Sequence, residues 1–363
     1  MLFDQGPKER KEDMYDYQEE LGKLIEALRM DKLIVIKGLR RTGKTSLMRV
    51  GLKESGFPYL HIDPRFSENP NMGDFGRIMR DSLELFLRRH GGKLRELRRA
   101  LSSVRGLKVS QSGVEIQLKW RGEEAVRFGE LIKALEEVGE GQRTPVIIGI
   151  DEAQELRRVT WIDFRRVIAY SYDNHKWVKF LLTGSEVGVL YNFLRIEDPN
   201  SPLFGRARSE VSTRKLSVEE SIDFLTRGAL EAGIRPDLKK LREAAEELGG
   251  IIGWLSYFGS SLVRGESEVE TILRSAVALT MEELKGFLRE RRSNRYPALL
   301  KILSQPRGWA EAKRRLEDVE GGTLNDRTLL ELLSNLVSVG LVEKMEGKYV
   351  IADPIVRRAV ELL

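Results

Sequence analysis

The chain has 363 residues, with 61 Lys and Arg, 56 Asp and Glu, three His and no Cys. At about 150 residues per domain, this length predicts two or three domains, and a hydrophobic content of 41% can supply their cores. The absence of cysteine excludes disulfides, thiolate catalysis and cysteine-based metal sites. The histidines, His61, His90 and His175, are scattered, which argues against a histidine metal cluster and a Ser-His-Asp triad.

The sequence contains no pattern typical of a targeting or membrane segment. Residues Met1–Asp13 are charged and lack an apolar core, unlike a signal peptide. The uncharged stretch Gly249–Ser261 is shorter than the run of about 18 apolar residues that a membrane span needs. We therefore expect a cytoplasmic protein that makes no membrane contact.

The first half of the chain alternates predicted strands with predicted helices. Short apolar runs predict buried strands at Leu33–Lys37, Tyr59–Ile62, Val146–Ile150 and Val178–Leu182. Helical patterns separate them at Ser46–Lys53, Phe75–Arg89, Ala125–Glu137 and Phe164–Asn174. This alternation is typical of an α/β fold whose parallel sheet is covered on both faces.

A different pattern interrupts this alternation before the third strand. Leu107–Gln111 and Val114–Trp120 alternate between apolar and polar residues, with Ser112 and Gly113 between them. Such a pair of segments predicts an inserted β-hairpin.

The second half of the chain is predicted to be mostly helical. Val218–Leu288 is helical throughout, apart from glycine-containing breaks. Asn294–Leu363 predicts three helices and then two strands, Leu341–Lys344 and Lys348–Ile351, joined across Glu346 and Gly347. This order is that of the winged-helix variant of the helix-turn-helix fold.

The most specific motif is a phosphate-binding loop. Gly38–Thr45 matches G-x-x-x-x-G-K-[ST] between a predicted strand and a helix predicted to begin at Thr45. Glycines allow the tight turn that directs backbone N–H groups inward, and the helix N-terminus adds partial positive charge for phosphate. The motif predicts that Lys44 bridges the β- and γ-phosphates of ATP and that Thr45 binds Mg²⁺. The predicted nucleotide-binding residues are Gly38, Leu39, Arg40, Arg41, Thr42, Gly43, Lys44, Thr45 and Ser46.

Two carboxylates follow the third predicted strand. Asp151 is expected to hold Mg²⁺, and Glu152 is expected to polarise the attacking water. The alternative is that Asp151 caps a helix and Glu152 is solvated.

The fourth predicted strand also ends in polar residues. Thr183, Ser185 and Glu186 could contact the γ-phosphate or the attacking water. Equally, Thr183 or Ser185 could cap the following helix.

Several longer segments extend these motifs. GLRRTGKTSL, YLHIDPR, IDEAQEL, FLLTGSEVGVLYNFL, SPLFGRA and GGIIGWLSYFG occur in this order between Asp13 and Phe258. Together they resemble the archaeal ATPase family in the STAND group of P-loop ATPases, which are relatives of the AAA+ class. The resemblance implies an ATPase domain at 1–215 with an inserted helix-hairpin at about 66–122, a helical lid at 216–290 and a winged helix at 291–363.

The resemblance also implies roles for particular residues. Lys44 and Thr45 contact nucleotide and Mg²⁺, Asp151 is the acid beside the metal, and Glu152 is the catalytic glutamate. Ser185 stands at the phosphate-sensing position. Arg206 is the candidate arginine for the γ-phosphate, acting within its own chain or from a neighbour in a homo-oligomer. The alternative for Arg206 is a surface salt bridge.

One residue departs from the family pattern. Ile252 stands where the family commonly has a proline in its lid, so the contact of this segment with the base is not implied. We expect Trp254 to belong to the lid core.

Two basic segments stand out against a net charge of only +5. Arg77–Lys108 contains ten Lys or Arg against three Asp or Glu, and Leu284–Arg315 contains ten against two. Both predict non-specific nucleic-acid contacts, and the alternative is a set of solvated helix faces.

The third predicted helix of the winged helix, Asn325–Val339, offers only Arg327, Asn325 and Asn335 for base reading, so a protein partner is the competing prediction.

These features predict an ATP-hydrolysing switch or motor that acts on DNA or on a protein. The alternative is a nucleotide-dependent DNA-binding regulator with negligible turnover. A small-molecule kinase is disfavoured because such kinases are generally short single domains.

Overall fold

The computed structural model describes residues 1–65, 71–90, 95–104, 107–110, 113–116, 124–184, 187–291 and 293–363. The strands are β1 (Leu33–Lys37), β2 (Tyr59–Ile62), β3 (Leu107–Ser110), β4 (Gly113–Ile116), β5 (Val146–Ile150), β6 (Val178–Thr183), β7 (Ser209–Ser212), β8 (Arg307–Gly308), β9 (Glu343–Met345) and β10 (Lys348–Val350). The helices are α1 (Gln18–Met30), α2 (Lys44–Glu54), α3 (Met72–His90), α4 (Arg95–Ser102), α5 (Glu124–Gln142), α6 (Phe164–Asn174), α7 (Val187–Leu194), α8 (Val218–Glu231), α9 (Leu238–Leu248), α10 (Ile252–Val263), α11 (Val269–Arg291), α12 (Arg295–Ile302), α13 (Trp309–Glu320), α14 (Asp326–Ser338) and α15 (Pro354–Glu361).

A parallel sheet of five strands forms the centre of the first domain, in the order β2-β5-β6-β1-β7. The predicted parallel α/β fold is therefore confirmed, and β1, β2 and β5 have the predicted bounds. The strand β6 extends one residue further, to Thr183, which pairs with Ile36. The edge strand β7 was not predicted because SEVS lacks an apolar run.

Helices cover both faces of this sheet. On one face, β1 directs Leu33 and Val35 into a core shared with α3, α5 and α6. On the other, Ile34 and Ile36 pack with α1 and α2. Because successive side chains of a strand point to opposite faces, one short apolar strand supplies both cores.

The insertion before β5 contains α3, α4 and an antiparallel hairpin. In the hairpin, Leu107 pairs with Ile116 and Ser110 with Gly113. A hairpin was predicted here, with longer strands; Gln111, Ser112 and residues 117–120 lie outside the described residues.

The helices α8 to α11 pack around a core of their own; this is the segment predicted as the helical lid, and we call it the lid below. This core also contains Phe3 and Tyr17 from the N-terminal segment and Ile355 and Ala359 from α15. Both ends of the described chain therefore pack on the lid.

The C-terminal part combines α12, α13 and α14 with a three-stranded sheet in the order β8-β10-β9. The three helices and the pair β9–β10 were predicted, whereas β8 and the final helix α15 were not. Leu299, Leu316 and Leu333 pack in its core with Val356 and Val360 of α15. The helix α15 thus joins this core to the lid core.

Among the helices of the described residues, none is long and apolar enough to cross a membrane.

Candidate nucleotide-binding site

The phosphate-binding loop connects β1 to α2, which begins at Lys44, one residue earlier than predicted. Gly38 has a φ of +149°, and a Cβ there would lie 2.0 Å from Thr213 Oγ1. Only glycine fits such a close approach. The Thr42 hydroxyl donates to the Leu39 carbonyl at 2.7 Å and lies 2.6 Å from Thr213 Oγ1, so the residue after β7 holds the loop in place.

Lys44 lies inside the curve of this loop and is only 5% exposed. Its ammonium donates to the carbonyls of Gly38, at 2.9 Å, and Leu39. Burial lowers the pKa of Lys44 to about 8, although Glu152 and Asp151 oppose this effect. The loop therefore holds a cation beside its own N–H groups, as phosphate binding requires.

Asp151 forms the second part of the site, where β5 ends. It is fully buried, and the Thr45 hydroxyl donates to its carboxylate at 3.0 Å. Thr183, at the end of β6, also donates to Asp151 and accepts a hydrogen bond from the Glu152 N–H at 3.0 Å. Burial raises the pKa of Asp151, while the two threonine hydrogen bonds oppose the rise. The ends of β5 and β6 and the start of α2 thus meet at one buried carboxylate.

Glu152 follows with a left-handed backbone, φ 47°, before a short 3-10 helix at Ala153–Arg158. The buried Gln154 donates from Nε2 to Glu152 Oε2 at 2.7 Å. Gln154 was not predicted as a site residue, and only its position two residues after Glu152 could have indicated it. The cap of this helix is Glu152, without a side-chain hydrogen bond, so Asp151 does not act as the helix cap considered as its alternative.

A cleft of about 590 Å³ opens beside these groups, between the loop, the lid and the N-terminal segment. Lys44, Thr45, Ser46 and Glu152 line it, together with Arg65. Arg65 follows β2 and pairs with Asp63 through Nε to Oδ1 at 2.7 Å. It was not predicted, although it lies in the YLHIDPR segment and follows a strand at the carboxyl end of the sheet.

The lid contacts the phosphate-binding loop directly. The Gly253 N–H donates to the Arg41 carbonyl at 2.9 Å, and the Arg41 guanidinium lies 4.2 Å from the Trp254 ring centre. Glu283 of α11 pairs with Arg41 and, at 3.7 Å, with Arg40. Trp254 is 2% exposed and belongs to the lid core as predicted, while Ile252 lines the cleft.

Arg206 lies away from the cleft in this structure. Its Nε donates to Asp173 Oδ1 at 3.1 Å, and its guanidinium lies 5.9 Å from the Tyr172 ring centre. Asp173 is near the end of α6, close before β6 begins, whereas the phosphate-binding loop lies at the carboxyl ends of the strands. The salt-bridge alternative therefore describes Arg206 here, and Arg206 is not among the described residues that line the cleft.

The phosphate-sensing prediction at Ser185 cannot be compared with the structure, because Ser185 and Glu186 lie outside the described residues. Thr183, the third candidate at this strand end, binds Asp151 and the Glu152 N–H. The Thr183 hydroxyl therefore connects the side chain of Asp151 to the backbone of Glu152.

The basic segments are partly neutralised. In the C-terminal segment, Arg295 pairs with Glu320, while Arg307 and Arg315 share Glu311. The exposed Lys301 and Arg314 form no ion pair within the described part of the chain. Lys93, Arg105 and Arg292 lie outside it.

The three candidate base-reading residues of α14 are engaged within the chain. Arg327 pairs with Glu331 at 3.1 Å, and Asn325 accepts the Arg327 N–H as the cap of α14. Asn335 donates to the Tyr296 hydroxyl at 2.9 Å. Base reading by α14 would require these contacts to break.

Comparison with known proteins gives the chain a family. No family model and no curated protein matches it. A solved structure of a Walker-type ATPase of Pyrococcus abyssi is 31% identical, covers 99% of this chain and 100% of its own, and superposes with a TM-score of 0.82. The Aeropyrum pernix ORC2 protein, in ADPNP–ADP complexes, is 16% identical, covers 99% of this chain and 97% of its own at a TM-score of 0.58, and shares the fold. The chain therefore belongs to the family of P-loop, Walker-type ATPases that includes the Pyrococcus abyssi protein.

Proposed function

We propose that the chain binds ATP with Mg²⁺ and hydrolyses it, as a molecular switch or motor. The observation that carries this proposal is the meeting of Thr45 and Asp151, at 3.0 Å, in a cleft also lined by Lys44 and Glu152. These are the groups that phosphoryl transfer needs: a phosphate-binding cation, a metal-binding pair and a carboxylate.

The donor set suits Mg²⁺. This ion takes oxygen ligands and keeps several waters, so one hydroxyl and one carboxylate are enough when phosphates supply the remainder. Thr45 Oγ1 and the buried Asp151 carboxylate would hold it. No group of three His, Asp or Glu that could bind a metal occurs among the residues the structure describes, which disfavours a metal bound by protein ligands alone. When bound, Mg²⁺ neutralises charge on the phosphate oxygens.

The other residues of the cleft bind the phosphates, accept a proton and supply positive charge. The loop N–H groups and Lys44 bind and orient the phosphates, with Lys44 exchanging its two carbonyl contacts for phosphate oxygens. Glu152 accepts the proton of the attacking water, and Gln154 positions its carboxylate. Arg65, which lines the same cleft as Glu152, supplies positive charge there.

The test is the variant Glu152→Gln. Because this change removes the proton acceptor and retains the size of the side chain, ATP binding should remain within about twofold while phosphate release falls by about 100-fold or more. Glu155 also lines the cleft, so Glu155→Gln is the matched control and should keep its turnover. Unchanged hydrolysis in Glu152→Gln would refute the role of Glu152.

The proposal also covers the macromolecule that the C-terminal part contacts. We infer that the C-terminal part is a winged helix of a STAND-type ATPase and that it contacts DNA or a protein. Lys301 and Arg314 form no ion pair with any described residue, which favours non-specific phosphate contact. The engaged polar residues of α14 disfavour base reading. The second candidate is a DNA-binding regulator with negligible turnover, which would release phosphate no faster than the Glu152→Gln variant, with or without DNA.

A further inference from the structure

A second cavity, of about 620 Å³, lies beside the edge strand β2, away from the phosphate-binding loop. The second half of α2, the end of α3 and β2 form its walls. Its polar lining consists of Glu9, Arg49, Lys53, Tyr59, His61, Arg89, His90, Gln142 and Thr144. The volume falls in the range of small-molecule sites, about 300 to 1,000 Å³.

The charge of this lining is strongly positive. The lining contains three cations, Arg49, Lys53 and Arg89, and one carboxylate, that of Glu9. The Glu9 carboxylate lies 3.4 Å from Arg49 Nη1, and its side chain is 60% exposed. Lys53 and Arg89 are exposed and form no ion pair in the described ranges of the chain. The guanidinium of Arg89 lies 5.2 Å from the Tyr59 ring centre, over a half-buried aromatic wall. The cavity therefore concentrates positive charge that the described residues do not neutralise.

Two buried side-chain nitrogens at the cavity wall also lack partners in the described part of the chain. Arg49 Nε and His61 Nε2 are buried without a hydrogen-bond partner among the described residues. Burial and the nearby Arg49 lower the pKa of His61 to about 4, so its imidazole is neutral at pH 7. Buried polar nitrogens without partners are uncommon in folded proteins.

Helix ends explain only part of this arrangement. Lys53 and Arg89 lie in the last turns of α2 and α3, where cations are favoured by the helix dipole. Arg49 lies in the middle of α2 and His61 in the middle of β2, where that effect is absent. A bound anion would give a counter-charge to the two cations and a hydrogen-bond partner to Arg49 Nε.

We propose that this cavity is a second binding site, which takes a small, multiply charged phosphate ligand between α2, α3 and β2. Arg49, Lys53 and Arg89 bind its phosphate oxygens, and Tyr59 provides an apolar wall for the remainder of the ligand. The site lies on α2, the helix that begins in the phosphate-binding loop, and Glu9 joins it to the N-terminal segment, in which the Lys8 N–H donates to Ser46 at 3.0 Å.

The three histidines of the chain make a direct test feasible. His61 and His90 line the cavity, whereas His175 lies before β6 and bonds Ser171 at 3.0 Å. The histidine ring signals of the labelled full chain are followed by NMR during titration with inorganic pyrophosphate. The titration uses the Lys44→Ala variant, so that the phosphate-binding loop has lost its cation. Single His→Gln variants assign the signals.

We expect the His61 and His90 signals to shift saturably while the His175 signal stays fixed. Lys53→Ala and Arg89→Ala should each weaken the apparent affinity by about tenfold, because a charge-assisted hydrogen bond to phosphate is lost. Arg274→Ala removes an exposed arginine on the lid and should bind as the parent does.

Three outcomes would overturn the proposal: no shift of His61 and His90 at millimolar pyrophosphate, an equal shift of His175, or unchanged affinity in both cavity variants. Shifts produced by a single-stranded oligonucleotide but not by pyrophosphate would also overturn it, in favour of a nucleic-acid contact. Since Lys53 and Arg89 are exposed, their alanine variants are expected to fold.

Discussion

Individual side chains in the cleft show how burial changes chemistry. Lys44 is an ordinary residue of a sequence motif, but its environment is not ordinary: burial places its pKa at about 8. The protein without ligand therefore loses this charge within an accessible pH range, whereas bound phosphate favours the charged form and raises the pKa.

This difference predicts a pH-dependent affinity for ATP. Above pH 8, binding must take up a proton at Lys44, so the affinity should fall by up to about tenfold per pH unit. Below pH 8, Lys44 is already charged and adds no such dependence. The Lys44→Arg variant stays charged throughout, and titration calorimetry from pH 6.5 to 9.5 should show a flatter profile for it at high pH. Parallel profiles for the two proteins would contradict this origin.

Arg65 and Arg206 differ in their position relative to the cleft, and we expect different roles for them in hydrolysis. Arg65 lines the cleft of its own chain, whereas Arg206 pairs with Asp173 near the amino end of β6, away from the cleft. Arg65→Ala should lower hydrolysis by at least about tenfold at every protein concentration, with little loss of binding.

Arg206→Ala should depress hydrolysis more than binding, and only where light scattering with ATP shows associated chains. Equal losses of binding and hydrolysis in Arg206→Ala would argue against a role from a neighbouring chain.

At the level of elements, the Asp353 side chain adds a buried polar link between the lid and the C-terminal part. Asp353 caps α15 by accepting the Ile355 N–H at 2.8 Å, and it also accepts Trp254 Nε1–H at 2.9 Å. Trp254 in turn stacks against Arg41 of the phosphate-binding loop. Asp353, the cap of α15, thus also holds the Trp254 ring that contacts the phosphate-binding loop.

The substitution Asp353→Ala should therefore cost more than the loss of a cap. A missing cap costs about 1 kcal/mol, and an unpaired buried indole N–H adds about 1 to 3 kcal/mol. Asp237 caps α9 by accepting the Lys239 and Lys240 N–H groups, and it accepts no side-chain hydrogen bond from any described residue. Asp237→Ala is therefore the control and should cost only the first amount. Urea unfolding measures both free energies. Equal losses would show that the Trp254 bond contributes nothing.

Across the whole molecule, the placement of α14 limits how the protein can meet DNA. Asn335 and Ser338 of α14 line a cavity together with Val189 and Asn192 of α7, so this part of α14 faces the ATPase domain. Lys301 of α12 and Arg314 of α13 are exposed instead. Any phosphate contact is therefore expected on α12 and α13.

A duplex titration at two salt concentrations tests that surface. Binding should weaken as salt rises, because each neutralised phosphate releases counterions, and Lys301→Ala and Arg314→Ala should each reduce the slope by about one. Arg327→Ala removes a cation already paired with Glu331 and should leave the slope unchanged. Binding without salt dependence, or no binding, would exclude phosphate contacts there.

Residue patterns alone predicted the phosphate-binding loop, the central strands and the parallel α/β fold. These features depend on neighbouring residues: a glycine-rich turn, an apolar run of strand length, and the alternation of strand and helix. The acids after β5 could be predicted for the same reason, since a strand end is a local position. The helix α14 was likewise predicted to within one residue at each end.

Contacts between groups far apart in the chain became visible in the tertiary structure. It brought Thr183 to Asp151, placed Arg65 in the cleft and put Arg206 beside Asp173, near the amino end of β6. Likewise, β7 is a strand because it pairs with β1, and the N-terminal Phe3 is buried because the lid covers it. These outcomes depend on packing between segments far apart in the chain, so no local pattern of residue types can encode them.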